Sequence, residues 1–126
     1  MSILRSNNEP PEAIVKWGWK YHHTGVPTDK IMDGEIYLPQ FKLYVSGFSS
    51  SPFGIEWMRY EKDCPLHELI KTVPHLAFEV DDIDRELSEH GFNIIYAPGS
   101  PSEGVRSGMI EYKGAPVELV EFRRDK

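Results

Sequence analysis

Alternating apolar and polar residues predict that the second half of the chain is mostly strands. The clearest strand is HLAFEV, residues 75–80, where Leu76, Phe78 and Val80 share one face and more polar positions share the other. The stretch PGSPSEG, residues 98–104, is a loop by composition. Three further segments are rich in β-branched and aromatic residues and predict strands: FNIIYA (92–97), VRSGMIEY (105–112) and PVELVEF (116–122).

One helix is predicted between the strands at 75–80 and 92–97. Asp81 or Asp82 can cap its N-terminus, since a short acidic side chain accepts hydrogen bonds from the first-turn amides. Ile83 and Leu87 lie four residues apart and share a face, and Gly91 ends the helix. The second half therefore has the predicted order β-α-β-β-β.

The first half follows a similar order, with its helix short or missing. Strands are predicted at 17–26 and 54–61, and residues 36–48 are extended but interrupted by Pro39. Residues 28–35, where the second half has its helix, are polar and have too little apolar periodicity for a helix.

These segments predict one domain preceded by a loose arm. Residues 1–15 are polar and contain adjacent prolines, which predicts an N-terminal arm before a single domain of residues 16–126. Asp63 or Cys64 lies near the predicted cap of a linker helix. The domain divides into a first module (about 16–62), the linker helix (about 63–72) and a second module (about 73–124).

Composition narrows the functional class. The chain has 126 residues and a formal net charge of −6, and an acidic balance argues against a nucleic-acid-binding surface. Cys64 is the single cysteine, which excludes an internal disulfide framework. The sequence contains no secretory signal, no apolar run of membrane-spanning length and no phosphate-binding glycine motif. We therefore expect a cytoplasmic protein that binds neither membranes nor nucleic acids.

Two elements of the sequence repeat in the same order. The pattern His-x-small begins at His23 and again at His75, 52 positions later. The strand IEWMRY, which contains Glu56, is matched by VELVEF, which contains Glu118, 62 positions later. Two matches in the same order indicate that the halves are related modules.

The His and Glu residues of this repeat are predicted to lie on the polar faces of their strands. In each module the apolar side chains occupy one strand face, so the His and the Glu point to the other. If the modules pair about a twofold axis, His23, Glu56, His75 and Glu118 can converge in one cleft. Two imidazoles and two carboxylates suit a divalent transition metal, either Zn, Ni, Mn, Co or Fe.

These residues resemble the vicinal oxygen chelate superfamily, which includes glyoxalases, epimerases, extradiol dioxygenases and bleomycin-resistance proteins. The match is strongest in PHLAFEVDDID and GVRSGMIEYKGAPVELVEF and weaker over residues 19–60. The resemblance implies an α+β fold in which two βαβββ modules pair into a curled mixed sheet with a central cleft. It also implies that the metal ligands are His23, Glu56, His75 and Glu118.

The implied function is a metal-dependent lyase or isomerase of the glyoxalase or epimerase type. Its substrate is a small metabolite that chelates the metal through two oxygens, so that an enolate or other oxyanion is stabilised. Glu118 and Glu56 are the candidate acid/base groups. The alternative is a metal-free small-molecule binding protein, as in the bleomycin-resistance relatives. A dioxygenase using His23, His75 and Glu118 around Fe(II) ranks below both.

The sequence leaves several choices open. Register favours His23 over His22 as the ligand, and His22 is expected to point to the opposite strand face. We expect a homodimer, with which an exposed aromatic start at Trp17, Trp19 and Tyr21 is compatible. The substrate, the identity of the metal, and whether one chain or two form the cleft are not determined by the sequence.

Overall fold

The structure, a computed structural model, describes residues 8–123 and contains one eight-stranded mixed sheet with three short helices. This confirms the predicted α+β fold. The helices are α1 (Glu12–Val15), α2 (Glu68–Thr72) and α3 (Ile83–His90), and a 3₁₀ turn covers Phe48–Ser50. The strands are β1 (Lys20–Pro27), β2 (Ile36–Leu38), β3 (Leu43–Ser46), β4 (Ile55–Tyr60), β5 (His75–Glu79), β6 (Asn93–Ser102), β7 (Val105–Tyr112) and β8 (Ala115–Phe122).

The strand order shows the two modules directly. It runs β2-β3-β4-β1-β5-β8-β7-β6, so the four strands of each module are neighbours and the modules meet where β1 pairs with β5. The β1–β4 and β5–β8 pairs are parallel, and the β1–β5 pair is antiparallel. The described residues between β1 and β2 form no helix, as the sequence predicts. The modules are therefore related by an approximate twofold axis at the β1–β5 junction.

The main core lies between α3 and the sheet. Ile83 and Leu87 are both buried, which confirms the predicted apolar face of α3. Trp19 is also buried, and its Nε1 donates a hydrogen bond to Glu86 Oε1 at 2.7 Å. The expected exposed aromatic start is therefore wrong for Trp19, because this ring fills the space between β1 and α3. The cluster comprises Trp19, Phe78, Val80, Ile83, Leu87, Ile110 and Leu119.

Two helix starts test the cap predictions. The Asp82 side chain accepts a hydrogen bond from the Arg85 amide and caps α3, as predicted. The cap predicted at Asp63 or Cys64 is wrong, because α2 begins only at Glu68. His67 has an extended backbone and its Nδ1 accepts from the Leu69 amide. A histidine can cap a helix in this way, but it falls outside the usual Ser, Thr, Asp and Asn set.

The predicted loop at residues 98–104 is also wrong in its first part. Strand β6 continues to Ser102 and pairs with β7 through Gly99↔Ser107 and Ser102↔Val105. The register shifts several times along this pair, and such bulges let a Pro- and Gly-containing segment remain in a sheet. Edge strand β6 therefore reaches beside the cleft.

Both ends of the chain add detail to the predicted domain bounds. Within the predicted N-terminal arm, residues 12–15 form α1, and Ala13 packs against the core. Residues 1–7 and 124–126 lie outside the described part of the chain. Of the helices in residues 8–123, none has the length and apolar character that crossing a membrane requires.

Candidate metal centre

The structure places all four predicted ligands around one cavity within a single chain. His23 Nε2 lies 3.2 Å from Glu118 Oε1 and 3.8 Å from Glu56 Oε1, and His75 Nε2 lies 3.2 Å from Glu118 Oε1. Ligand atoms of His23, His75 and Glu118 all lie within 4.8 Å of one another. Glu56 lines the same cavity but stands outside this tight group. The cleft is therefore built from both modules of one chain.

Strand register explains the convergence. Gly25 on β1 pairs with Glu56 on β4, and Ala77 on β5 pairs with Glu118 on β8. In each module the His stands two residues before the small residue, so each His and Glu share a face at equivalent positions. The β1–β5 pair then puts Gly25 opposite His75. The two repeats found in the sequence are thus the symmetry-related halves of this site.

The small residue in the His-x-small pattern has a steric cause. A Cβ atom at Gly25 would lie 2.1 Å from Cε1 of His75, far inside any van der Waals contact. Across the twofold axis, Ala77 pairs with His23 in the β1–β5 ladder. Gly25 is therefore required because the His75 ring lies directly over it.

His75 is the side chain that fits a metal best. It is 3% exposed, and neither ring nitrogen has a hydrogen-bond partner of suitable geometry, although Nε2 is close to Glu118. An unpaired buried polar group costs on the order of 1–3 kcal/mol. A cation held by His23, His75 and Glu118 would satisfy this imidazole, so the donor set fits a divalent transition metal.

The two carboxylates differ electrostatically. Burial opposes ionisation of Glu118, but the imidazoles of His23 and His75, whose Nε2 atoms each lie 3.2 Å from its Oε1, lower its pKa to about 2. For Glu56, burial is the largest effect and raises the pKa, with the Glu118 charge adding to it and the imidazole charges opposing it. Glu118 is therefore held as an anion, and Glu56 binds a proton more readily than an ordinary glutamate.

His23 also feels this environment. Burial would lower the pKa of its imidazole, yet the hydrogen bond and charge of Glu118, together with the charge of Glu56, raise it overall. The His23 imidazole therefore binds a proton more readily than an ordinary histidine.

His22 does not behave as the sequence predicts. The register of the β1–β5 pair shifts between Tyr21 and His23, and this bulge breaks the simple alternation of side chains. His22 Nδ1 lies 2.8 Å from His23 Nδ1, within hydrogen-bond distance. The expectation that His22 points to the opposite face is therefore wrong, whereas His23, with Nε2 toward the carboxylates, occupies the predicted ligand position.

The cavity beside the four side chains is largely apolar and has a volume of about 200 Å³. Met58, Tyr60 and Met109 line it, whereas Tyr44 and Phe122 do not. Tyr44 instead lies under the Arg59 guanidinium, 4.1 Å from its ring centroid.

Sequence reasoning missed several lining residues, including Phe41, Leu43, Val45, Tyr96 and Ser107. Alternation along β3 and β7 is the signal that could have found them. Leu43 and Val45 are two residues apart on β3, and Ser107 and Met109 hold the corresponding places on β7.

Two further side chains lie outside the cavity lining. Arg106 forms an ion pair with Asp84 at 2.6 Å. Cys64 is buried and carries a free thiol.

Comparison with known proteins identifies the fold. No family model and no curated protein matches the sequence. A hypothetical protein from Bacillus halodurans matches the structure with a TM-score of 0.66 and 18% identity, over 86% of this chain and 97% of that one. Methylmalonyl-CoA epimerase from Mycobacterium tuberculosis matches with a TM-score of 0.57 and 21% identity, over 81% and 87%. The fold is glyoxalase-like. At these identities the likeness establishes the fold, and the function has to be argued from the site.

Proposed function

We propose that this protein is a metal-dependent isomerase or lyase that acts on a small metabolite with two neighbouring oxygens. The observation that carries the proposal is the convergence of His23, His75 and Glu118 beside Glu56, with both His75 ring nitrogens buried and without a hydrogen-bond partner. The alternative, a metal-free binding protein, has no need of such a set. The fold shared with an epimerase supports the isomerase class.

The residues divide into two roles. His23, His75 and Glu118 would hold the metal, because their ligand atoms are closest together and Glu118 has the lowered pKa. When bound, a divalent metal acts as a Lewis acid that stabilises negative charge developing on a substrate oxygen. Glu56 completes the ligand set or stands beside it.

Glu56 is the better candidate for proton transfer. Its raised pKa and its position at the cavity suit a carboxylate that takes a proton from a carbon next to a carbonyl and returns it to a neighbouring position. Only the ionised form can accept the proton, so the reaction should slow as the pH falls through the pKa of Glu56. Glu118, with a pKa of about 2, is less suited to holding a proton.

The first experiment is elemental analysis of protein purified without chelator. We expect about one transition metal per chain in the wild type and none in His75→Ala. His67→Asn is the matched control, because His67 is exposed and does not line the cavity, and an asparagine oxygen can still cap α2 at the Leu69 amide. A wild type that lacks metal and takes up no Zn, Ni, Mn or Co would refute the proposal and leave the binding-protein alternative.

The second experiment separates the two glutamates. Metal-loaded protein should accelerate exchange of the carbon-bound hydrogens of hydroxyacetone with D₂O, followed by NMR. Glu56→Gln should retain metal and slow this exchange by roughly 10²–10⁴-fold, the usual loss of a general base. Glu118→Gln should lose the metal itself. Equal exchange in wild type and Glu56→Gln would remove Glu56 from the mechanism.

The homodimer also remains a proposal, and light scattering of the purified chain would test it.

A further inference from the structure

The cavity lining restricts the kind of molecule that the site can bind. Apart from the four candidate ligands, most of its residues are apolar, including Leu38, Phe41, Val45, Met58 and Met109. The polar groups that remain are uncharged hydroxyls, such as those of Tyr60 and Ser107. Among the described residues that line the cavity there is no Lys or Arg.

The nearby arginine side chains form ion pairs outside the cavity. Arg59 makes a two-point ion pair with Glu35, at 2.7 and 2.8 Å, and Arg106 pairs with Asp84. An anionic group deep in this cavity would therefore face Glu56 and Glu118 without a protein cation to balance it. Burying a charge without a partner is strongly unfavourable.

The small volume of the cavity also restricts the ligand to a compact molecule. A cavity of about 200 Å³ is smaller than the roughly 300–1,000 Å³ of sites for drug-sized ligands. The two modules also meet beside it, because Phe41 packs edge-to-face on Tyr96, with ring centroids 5.9 Å apart, and Gln40 Nε2 donates to the Pro101 carbonyl at 3.4 Å.

We infer that the substrate is a compact molecule whose two chelating oxygens stand on an apolar alkyl or aryl body with no second anionic group. The inference rests on the proposed metal site and adds the class of substrate. Phosphorylated and phosphonate compounds are disfavoured, since the lining offers them only carboxylates and apolar side chains.

Three hydroxamates that share one chelating group test this inference. Acetohydroxamate, benzohydroxamate and phosphonoacetohydroxamate would be titrated calorimetrically into protein loaded with the metal that elemental analysis identifies. We expect benzohydroxamate to bind at least about tenfold more tightly than acetohydroxamate, because its ring buries apolar surface. Phosphonoacetohydroxamate should bind more weakly than acetohydroxamate.

Variants locate the effect. Phe41→Ala should reduce the preference for benzohydroxamate, whereas Phe53→Ala should not, because Phe53 is 72% exposed and lies outside the lining. Metal-loaded protein that binds the phosphonate as tightly as acetohydroxamate would overturn the inference and leave the proposed function standing. A chain that takes up no metal would overturn both.

A second inference comes from the pair of adjacent histidines. His22 stacks on Phe48, with ring centroids 5.2 Å apart and planes inclined by 20°, and it also contacts Phe122. These rings hold His22 in place, and its Nδ1 lies 2.8 Å from Nδ1 of His23. One of the two nitrogens must donate and the other accept.

We propose that His22 is a positioning residue that accepts a hydrogen bond from the Nδ1–H of His23 when the metal site is occupied. An imidazole protonated at Nδ1 has its lone pair on Nε2, the nitrogen of His23 that faces Glu118 and Glu56, so Nε2 is then available to a metal held between them. A fixed hydrogen bond at the far nitrogen both selects this tautomer and holds the ring orientation, as is usual for metal-binding histidines.

Metal affinity and ring ¹⁵N chemical shifts test this role. His22→Leu should weaken metal binding about 10- to 100-fold, the usual effect of losing such a partner. His22→Asn, whose amide oxygen can accept a hydrogen bond, should recover part of the loss. His67→Asn is again the control.

The ¹⁵N spectrum of neutral His23 gives a readout that a packing role would not change. In zinc-loaded wild type it should show the Nδ1-protonated tautomer, and in His22→Leu at the same zinc concentration a mixture of tautomers. An unchanged tautomer and unchanged affinity in a folded His22→Leu variant would overturn the proposal.

Discussion

His22, His23 and Gly25 each set part of the geometry of the candidate site. Gly25 is needed because the ring of His75, from the other module, lies where its side chain would be. His23 faces the carboxylates, and the bulge at Tyr21–His23 turns His22 back onto it. The His-x-Gly pattern therefore reflects a contact between the two modules, whose matching histidines are 52 positions apart in the sequence.

Gly25→Ala should displace the His75 ring. The added Cβ overlaps the imidazole, so we expect a stability loss of about 1–3 kcal/mol, typical of overpacking, together with loss of measurable metal binding. Urea unfolding and elemental analysis would measure the two effects. Leu76→Ala is the control, since Leu76 is 47% exposed and does not line the cavity, and its metal content should be unchanged. Normal metal content in Gly25→Ala would show that the site adapts to the overlap.

Glu86 links a single residue to the pH dependence of stability. Burial raises its pKa, but hydrogen bonds from Trp19, Arg85 and His90 outweigh this and leave the pKa below the ordinary 4.5. A carboxyl with a lowered folded-state pKa stabilises the fold above pH 4.5, and this stabilisation is lost as the pH falls through the folded pKa.

Glu86→Gln should therefore destabilise the protein at pH 7 by about 1–2 kcal/mol, because Trp19 keeps an acceptor but the ion pairs are lost. Its stability should also fall less than that of wild type between pH 5 and 3. Chemical unfolding at several pH values measures both effects. Exposed Glu89 on the same helix gives the control Glu89→Gln. Identical pH profiles for wild type and Glu86→Gln would contradict this account.

At the scale of elements, residues that are adjacent in sequence correctly predicted the helix and turn boundaries that depend only on local interactions. The cap at Asp82, the stop at Gly91 and the β7–β8 hairpin follow from residues that are adjacent in sequence. The α2 start and the course of β6 do not, because they depend on a histidine cap and on pairing with β7. The Pro- and Gly-rich composition of residues 98–102 predicts a loop, but pairing with β7 keeps this segment extended.

The β7–β8 turn offers a stabilising change. Lys113 and Gly114 both have positive φ, 50° and 86°, and a lysine in this region is strained. Lys113→Asn should raise the free energy of unfolding by about 0.5–1 kcal/mol, less a small loss from the Lys113 contact with the Tyr112 ring. Thermal unfolding measures this, and Lys62→Asn is an exposed control. A lower melting temperature in Lys113→Asn would mean that the ring contact outweighs the strain.

At the scale of the whole molecule, the candidate site lies at the junction of the two modules. His23 and Glu56 come from the first, and His75 and Glu118 from the second, and they meet because β1 pairs with β5. A metal at this position would connect both halves, so its binding should stabilise the whole fold.

Metal should raise the melting temperature reversibly. At a free metal concentration of 100 times Kd, the added stability is about 2.7 kcal/mol, or on the order of 10 °C for a domain of this size. Differential scanning fluorimetry with and without chelator would show it, and His75→Ala should show no shift. Metal that binds without raising the melting temperature of wild type would mean that the ion binds the unfolded chain as well as it binds the fold, which would contradict a site assembled from both modules.

The module repeat, the order of most strands and the four residues that surround one cavity could be inferred from the sequence alone. They follow from strand alternation and from a repeated pattern, which are local or periodic properties of a chain, whereas the α+β fold was implied by the resemblance to a known superfamily. The remaining features required the folded structure: the close trio of His23, His75 and Glu118, the different proton affinities of the two glutamates, the contact of His22 with His23, and the lining by Phe41 and Tyr96. Distances, burial and charge interactions depend on which distant residues meet, and strand pairing between the modules sets that.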